Sequence, residues 1–305
     1  MSARRAPRRA VDGVLLLDKP GGISSQTAVT RVKSLFNAAK AGHTGTLDPM
    51  ATGLLPIALG EATKFSSVLL DAGKSYLATV RLGQTTTTGD LEGDVTATSP
   101  VAVDLQRIEE VLPRFRGEIE QTPPMYSALK HAGKPLYEYA RAGTEIERMP
   151  RCITIGSLTV EGYEGAELRI AVACSKGTYI RVLAEDIGRA LGCGACLAGL
   201  RRTQVGRFDV TEAIGLDALG ALDEAAREAH LLPADAMLAD LPMVELNEPQ
   251  GRRILSGQAV ELGDARPNGL LRLYGPAGTF LGVGTCTGGG RVEPRRLVAS
   301  KPDKG

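Results

Sequence analysis

The hydrophobic pattern along the chain changes period several times. Residues 14–18, VLLLD, form a short apolar run that ends in a Lys-Pro-Gly-Gly turn, which reads as a strand and its stop. In ISSQTAVTRVKSLF, Val29, Val32 and Phe36 recur at helical spacing, with Ser24 or Ser25 as N-cap. KSYLATVRLGQTT alternates, with Tyr76, Ala78, Val80 and Leu82 on one face of a half-buried strand. ITIGSLTVEGYE and ELRIAVACS predict two more strands, and VDLQRIEEVLPRF and GTYIRVLAEDIGRAL two more helices. Without a regular βαβ rhythm, this mixture predicts an α+β fold with mainly antiparallel pairing. Residues 1–11 are expected to be a disordered basic tail and 12–230 a first, larger domain. Residues 231–247, rich in proline and without a steady period, are expected to be a linker. Beyond it, AVELG, LLRLYGP, GTFLGVGTCT and GRVEPRRLVAS predict a small β-barrel or pseudobarrel over 248–305.

Length and composition narrow the class. At 305 residues, 43% hydrophobic and 23% charged, the chain suits about two ordinary globular domains. Its apolar runs are too short to span a bilayer, and MSARRAPRRA has no apolar stretch behind it, so a cytoplasmic location is expected. Five cysteines at irregular spacing do not form a disulfide framework. Cys193 and Cys196 make one CxxC, read either as packing residues or as a redox pair; with three histidines in the chain, no second ligand pair for zinc is evident.

The net charge of +1 hides a segregation. Residues 209–248 carry ten acidic side chains and one basic, whereas 251–305 carry nine basic and four acidic. Basic segments flanking an acidic middle fit either a polyanionic ligand or simply solvated faces.

AGHTGTLDPM, 41–50, holds the first candidate chemistry. Two glycines and a proline shape a loop between apolar runs, and Asp48 there is either a turn cap or a carboxylate for catalysis. A nucleophilic carboxylate needs an orienting cation and a shielded pocket. Arg181, near the start of a helix among apolar neighbours, would need an anionic partner if buried, and Tyr76 and Tyr179 are candidate pocket residues. The stretch 121–143 interleaves Tyr126, Tyr137 and Tyr139 with Lys130, His131, Lys134 and Arg141, a composition that suits either gripping an RNA backbone and stacking on bases or an ordinary surface excursion.

Six blocks then resemble, in order, segments of the bacterial tRNA pseudouridine synthase B family: GVLLLDKPGGISSQ, KAGHTGTLDPMATGLLPIALGEATK, KSYLATVRLGQTTTTGDLEGDV, PPMYSALKHAGKPLYEYAR, CSKGTYIRVLAEDIG and LAGLRRTQVGRF. GRVEPRRLVAS resembles the end of that family's PUA-type RNA-binding domain, so the similarity spans about residues 12–299. The resemblance implies isomerisation of uridine 55 in the T stem-loop of tRNA to pseudouridine, on a pseudouridine synthase fold with a thumb-like insertion at about 121–150, without cofactor, metal or obligate protein partner. It implies Asp48 as the catalytic aspartate, Arg181 as its partner and Tyr76 as the residue stacked on the target base. Tyr179 and Leu200 would line the base pocket, His43 would help hold the loop open, and Lys19 and Lys64 would support the site or the RNA backbone. Lys130, Lys134 and Arg141 are expected RNA contacts. Two other readings remain: a non-catalytic tRNA-binding or folding module on the same scaffold, and a carboxylate-dependent hydrolase, which would need a second, acidic carboxylate near Asp48.

Overall fold

A computed structural model describes residues 7–263 and 268–299. Its core is one mixed sheet of eleven strands among the described residues. Along the sheet run Gly13–Lys19, Thr52–Leu59, Ala195–Val205, Lys74–Leu82, Glu167–Cys174, Arg151–Glu164 and Gly117–Gln121. Neighbours pair antiparallel, except where Ala195–Val205 meets Thr52–Leu59 in a parallel contact at Arg201↔Thr52 and Arg202↔Gly53. The fold is thus α+β, as the alternating periods predict.

Two helices cover one part of this sheet each. The helix Ser25–Leu35 starts at Ser24, whose side chain accepts from the Thr27 amide, and it buries Ala28, Val29 and Val32 against the strands Gly13–Lys19 and Thr52–Leu59. The helix Ile180–Leu191 buries Ile180, Leu183, Ala184 and Ile187, the spacing of one helical face, and stops at Gly192, whose φ of 83° ordinary residues avoid. Each such buried Leu or Ile contributes about 1.5–3 kcal/mol. Tyr76 and Leu200 touch both helix-covered cores, at the seam between them. Functional side chains at such a seam are gripped from two sides.

The tail and the linker differ from expectation. Arg4 and Arg5 lie outside the described residues, but residues 7–11 are not loose: Val11 is buried, and Arg9 reaches Glu224 at 2.5 Å and Glu228 at 2.6 Å. The proline-rich stretch after 230 is no free linker. Leu231–Leu232 adds a short antiparallel strand beside Val14 and Leu15, and Met237 and Leu238 are buried in a third core with Phe65, Leu69 and Phe208. Met243–Glu245 then opens the second sheet, alongside Arg272–Tyr274. Its period is unreadable because each apolar residue enters a different short element.

Among the described residues the second sheet has five strands and its own core of Val244, Ile254, Val260, Leu273 and Val292. It is docked on the first domain: Phe280 meets Phe65 edge-on at 5.4 Å, Val283 enters the third core, and Lys64 donates to the Leu297 carbonyl at 2.9 Å. Cys193 and Cys196 are both buried with free thiols, packed where the Arg181 helix turns into the strand Ala195–Val205.

The parallel strand contact is tight. Gly53 has φ +98°, and a Cβ there would lie 2.3 Å from the Arg202 carbonyl oxygen. Gly53→Ala is therefore expected to destabilise the chain by about 2 kcal/mol, read as a lower urea midpoint at unchanged slope. A variant as stable as the parent would show that the two strands separate freely.

Candidate active site

The loop 44–51 is fixed from several directions before any catalytic property is considered. The Ser25 hydroxyl accepts from the Leu47 amide at 2.8 Å and donates to the Leu47 carbonyl at 2.9 Å. Lys19, fully buried, donates to the carbonyls of Pro20, Ile23 and Pro49 at 2.8, 2.8 and 3.3 Å. On the other side Arg202, 2% exposed, donates to the carbonyls of Leu54, Gly45 and Thr46 at 2.8, 3.1 and 3.4 Å. The Asp48 carbonyl, not its carboxylate, makes the turn bond to the Ala51 amide. The carboxylate is free for other work.

It meets Arg181. The Arg181 Nε donates to Asp48 Oδ2 at 2.9 Å and stands 3.6 Å from Asp90 Oδ2. Its two terminal nitrogens donate to the carbonyls of Thr88, at 2.9 Å, and Tyr126, at 2.7 Å. Arg181 is 5% exposed and Asp90 also 5%, while Asp48 keeps 35% of its side chain open. Two members of the trio, the cation and Asp90, are buried, and the exposed member is the Asp48 carboxylate. Asp90 is itself held by the Thr88 hydroxyl at 2.5 Å and the Glu92 amide at 3.1 Å.

Two cavities open on Asp48 and Arg181. One, of about 330 Å³, is lined by Tyr76, Tyr179, Leu200, Lys74 and Arg202. The other, of about 570 Å³, is lined by His43, Ser25, Glu92, Tyr137 and Arg141. The segment Tyr126–Ala128 contributes to the wall between them. Volumes of this size suit a small ligand or a single nucleotide unit. Burial, and then the Arg202 charge, lower the His43 pKa, so its ring is neutral at pH 7; its Nδ1 accepts from the Gly45 amide at 3.3 Å and its proton sits on Nε2. Burial raises the Tyr76 phenol above its ordinary value, so it stands protonated rather than as a ready-made base. Glu92 is raised too, by burial and by the charges of Asp90 and Asp48.

Of the residues expected at a site, Asp48, Tyr76, Arg181, Tyr179, Leu200 and His43 come together. Lys64 does not: it pairs with Glu61 at 2.7 Å and joins the two domains, because EATK forms a 3-10 turn facing the second sheet. Lys19 is close, but its ammonium is spent on loop carbonyls and cannot touch a ligand. Lys130 and Lys134 lie on an exposed hairpin and Arg141 ends the helix that follows, with Lys134 over the Tyr139 ring at 4.9 Å and Arg141 over the Tyr137 ring at 5.4 Å. Two residues were not anticipated: Asp90, which looks like a turn residue in TTTTGDLEGD, and Arg202, one of two adjacent arginines on a strand. Among the described residues no group of His, Cys, Asp or Glu could hold a metal ion.

Comparison with known proteins follows the same line. The family description "TruB family pseudouridylate synthase (N terminal domain)" matches residues 33–180, "tRNA pseudouridylate synthase B C-terminal domain" matches 181–239, and "Pseudouridine synthase II TruB, C-terminal" matches 242–298. The tRNA pseudouridine synthase B of Aromatoleum aromaticum is 57% identical over 97% of this chain and 96% of its own, and that of Azoarcus sp. 55% identical over 98% of each. The chain belongs to the tRNA pseudouridine synthase B family. Among solved structures, an H/ACA RNP bound to a substrate RNA containing 2'-deoxyuridine has a TM-score of 0.72 at 26% identity, covering 95% of this chain and 86% of that one. A Cbf5-Nop10-Gar1 complex has 0.70 at 28%, covering 96% and 85%. In this pseudouridine synthase B chain no helix among the described residues is long and apolar enough to cross a membrane.

Two expectations follow from the geometry. Asp90→Asn removes a charge that helps offset buried Arg181, and is expected to slow turnover about 10- to 100-fold with tRNA affinity nearly unchanged; single-turnover rates and filter binding measure both, and an undiminished rate would leave Asp90 without a part. Burial pushes the Lys19 pKa down to about 8 against an ordinary 10.5. Between those values the unfolded chain binds the additional proton, so the group makes stability rise with pH. Lys19→Met is expected to flatten that rise in urea melts taken from pH 8 upward; an unchanged slope would mean the ammonium is not desolvated.

Proposed function

We propose that this site isomerises uridine 55 in the T stem-loop of tRNA to pseudouridine, as a cytoplasmic enzyme. The single observation that carries the reading is the 2.9 Å bond from buried Arg181 to a half-open Asp48 carboxylate at the floor of two cavities. A base inside a folded loop must leave its stack to reach that floor, at a cost of a few kcal/mol. Stacking on an aromatic face returns about 1–3 kcal/mol per base, and Tyr76 lines the cavity beside Leu200 and Tyr179 for that purpose. The larger cavity, with neutral His43 and with Arg141 on its rim, accepts the nucleotides next to the flipped one. Lys130 and Lys134 on the exposed hairpin then meet backbone phosphate.

The chemistry needs one carboxylate, and Arg181 holds that of Asp48 in place. With Asp48 engaging the ribosyl–uracil unit, the N1–C1′ bond breaks, the uracil turns while still held, and a C5–C1′ bond forms. C5 then loses a proton and N1 gains one, so atoms balance within one nucleoside and no external energy source is required.

The hydrolase reading gains one observation. Glu92 lines the larger cavity with Asp48 and holds its proton to higher pH than usual, which would suit an acid. Release of free uracil would favour it; tritium release from C5 without free base favours isomerisation. A non-catalytic module has no need of a buried cation aimed at an open carboxylate.

Asp48→Asn is expected to abolish tritium release from tRNA labelled at uridine C5 while keeping tRNA affinity within about tenfold, since the side chain keeps its shape. Lost binding with lost activity would instead mark Asp48 as structural.

A further inference from the structure

Where Arg181 stands depends on where its helix begins. The helix Ile180–Leu191 departs from Tyr179, which is extended at φ −104° and ψ 108° and makes no capping bond with its side chain. Helices are ordinarily fixed at this position by a Ser, Thr, Asp or Asn. Here the start is fixed from another strand instead. The carboxamide of Gln121, 2% exposed at the end of the strand Gly117–Gln121, accepts from the Tyr179 amide at 2.8 Å and donates to the Tyr179 carbonyl at 3.1 Å. The same carbonyl receives the Leu183 amide at 3.1 Å, which closes the first helical turn.

The grip extends to both sides of Tyr179. Gln121 pairs in register with Arg151 on the neighbouring antiparallel strand, and the Arg151 guanidinium lies 5.8 Å from the centre of the Tyr179 ring. Backbone and ring are thus both met from this strand pair. Farther along the chain, the Tyr126 carbonyl accepts from a terminal nitrogen of Arg181 at 2.7 Å. The segment 121–126 is therefore bonded to the helix start at its two ends, through Gln121 to Tyr179 and through Tyr126 to Arg181. Gln121 lines neither of the two cavities that open on Asp48, whereas Tyr179 and Arg181 do line them.

We propose that Gln121 is a positioning residue for the reaction: its carboxamide sets the point from which the helix departs, and so places Arg181 against Asp48 and Tyr179 against the base. The proposal rests on the isomerase reading above. A carboxamide carries a donor and an acceptor side by side, which is what the N–H and C=O of one extended residue require. A carboxylate in its place lacks the donor and would set an oxygen against the Tyr179 carbonyl. A methionine has nearly the same length and offers neither group. The Leu183 bond survives either change, so the helix persists while its first turn loses its anchor. Arg181 lies two residues beyond that anchor, and a misplacement of about 1 Å at a reacting site costs up to about 100-fold in rate.

The test uses the full-length chain and tRNA in single-turnover experiments. Gln121→Met is expected to slow pseudouridine formation about 10- to 100-fold while keeping tRNA affinity within about threefold. On an Arg181→Lys background it should slow the reaction little further, since both changes spoil the same placement. The exchange of the Arg181 Nε proton, held toward Asp48 in the parent, is expected to quicken in Gln121→Met. A parental rate, a slowing that adds in full to that of Arg181→Lys, or an unaltered Nε exchange would each reduce Gln121 to a structural prop and overturn the proposal. Should Gln121→Met melt below the assay temperature, Gln121→Glu, which keeps the acceptor for the Tyr179 amide, takes its place under the same readings. A parental chain that forms no pseudouridine would sink the isomerase reading instead. The positioning of Arg181 would then still be decided by the Nε exchange, which needs no turnover.

Discussion

A guanidinium withdrawn from water has to be compensated on every side, and the compensation of Arg181 organises the whole site. Its partners come from three separate segments: Asp48 from the loop 44–51, Thr88 and Asp90 from a turn, and Tyr126 from the stretch after the strand Gly117–Gln121. If any one of these drifts away, a buried charge is left short of a partner, at a cost of several kcal/mol. The geometry around the open carboxylate is thereby set before a ligand arrives. That is the condition under which a charged group acts on a substrate without spending energy on its own reorganisation.

The packing serves the same end. Tyr76 and Leu200 lie between two helix-covered cores, and the strands that carry them are adjacent in the sheet. The second domain is tied on through Phe65, Lys64 and the buried pair Met237 and Leu238. Much of the acidic run that precedes it is internal glue: Glu224 and Glu228 hold Arg9, and Asp235 pairs with Arg272 and accepts from the Tyr274 hydroxyl. The run therefore repels a polyanion less than its count of charges implies. Exposed Arg253, Arg295 and Arg296 remain on the second domain.

The strands and helices with clean periods were legible from the chain. Ala78, Val80 and Leu82 alternate as expected, and the first long helix begins at the expected Ser24 cap. The pairing of Asp48 with Arg181 was legible as a need for an anion, although 133 residues separate them. What escaped did so for local reasons. The strand that carries Arg202 contains two register shifts, after Leu197 and after Arg202, so inward and outward positions cannot be told by alternation. Asp90 sits among threonines and glycines, where an aspartate normally closes a turn. Lys64 was misread because a lysine after a conspicuous motif does not reveal which way a 3-10 turn points it.

The contrast between the two buried arginines explains why a site built around one carboxylate contains two of them. Arg181 divides its charge between Asp48 and Asp90 and two carbonyl dipoles, so no single acceptor takes all of it. Arg202, by contrast, has backbone carbonyls alone as its hydrogen-bond acceptors among the described residues and stands opposite Tyr76 in the sheet. The sheet register that puts Tyr76 opposite Arg202, and the helix that starts at Tyr179, keep the two environments apart.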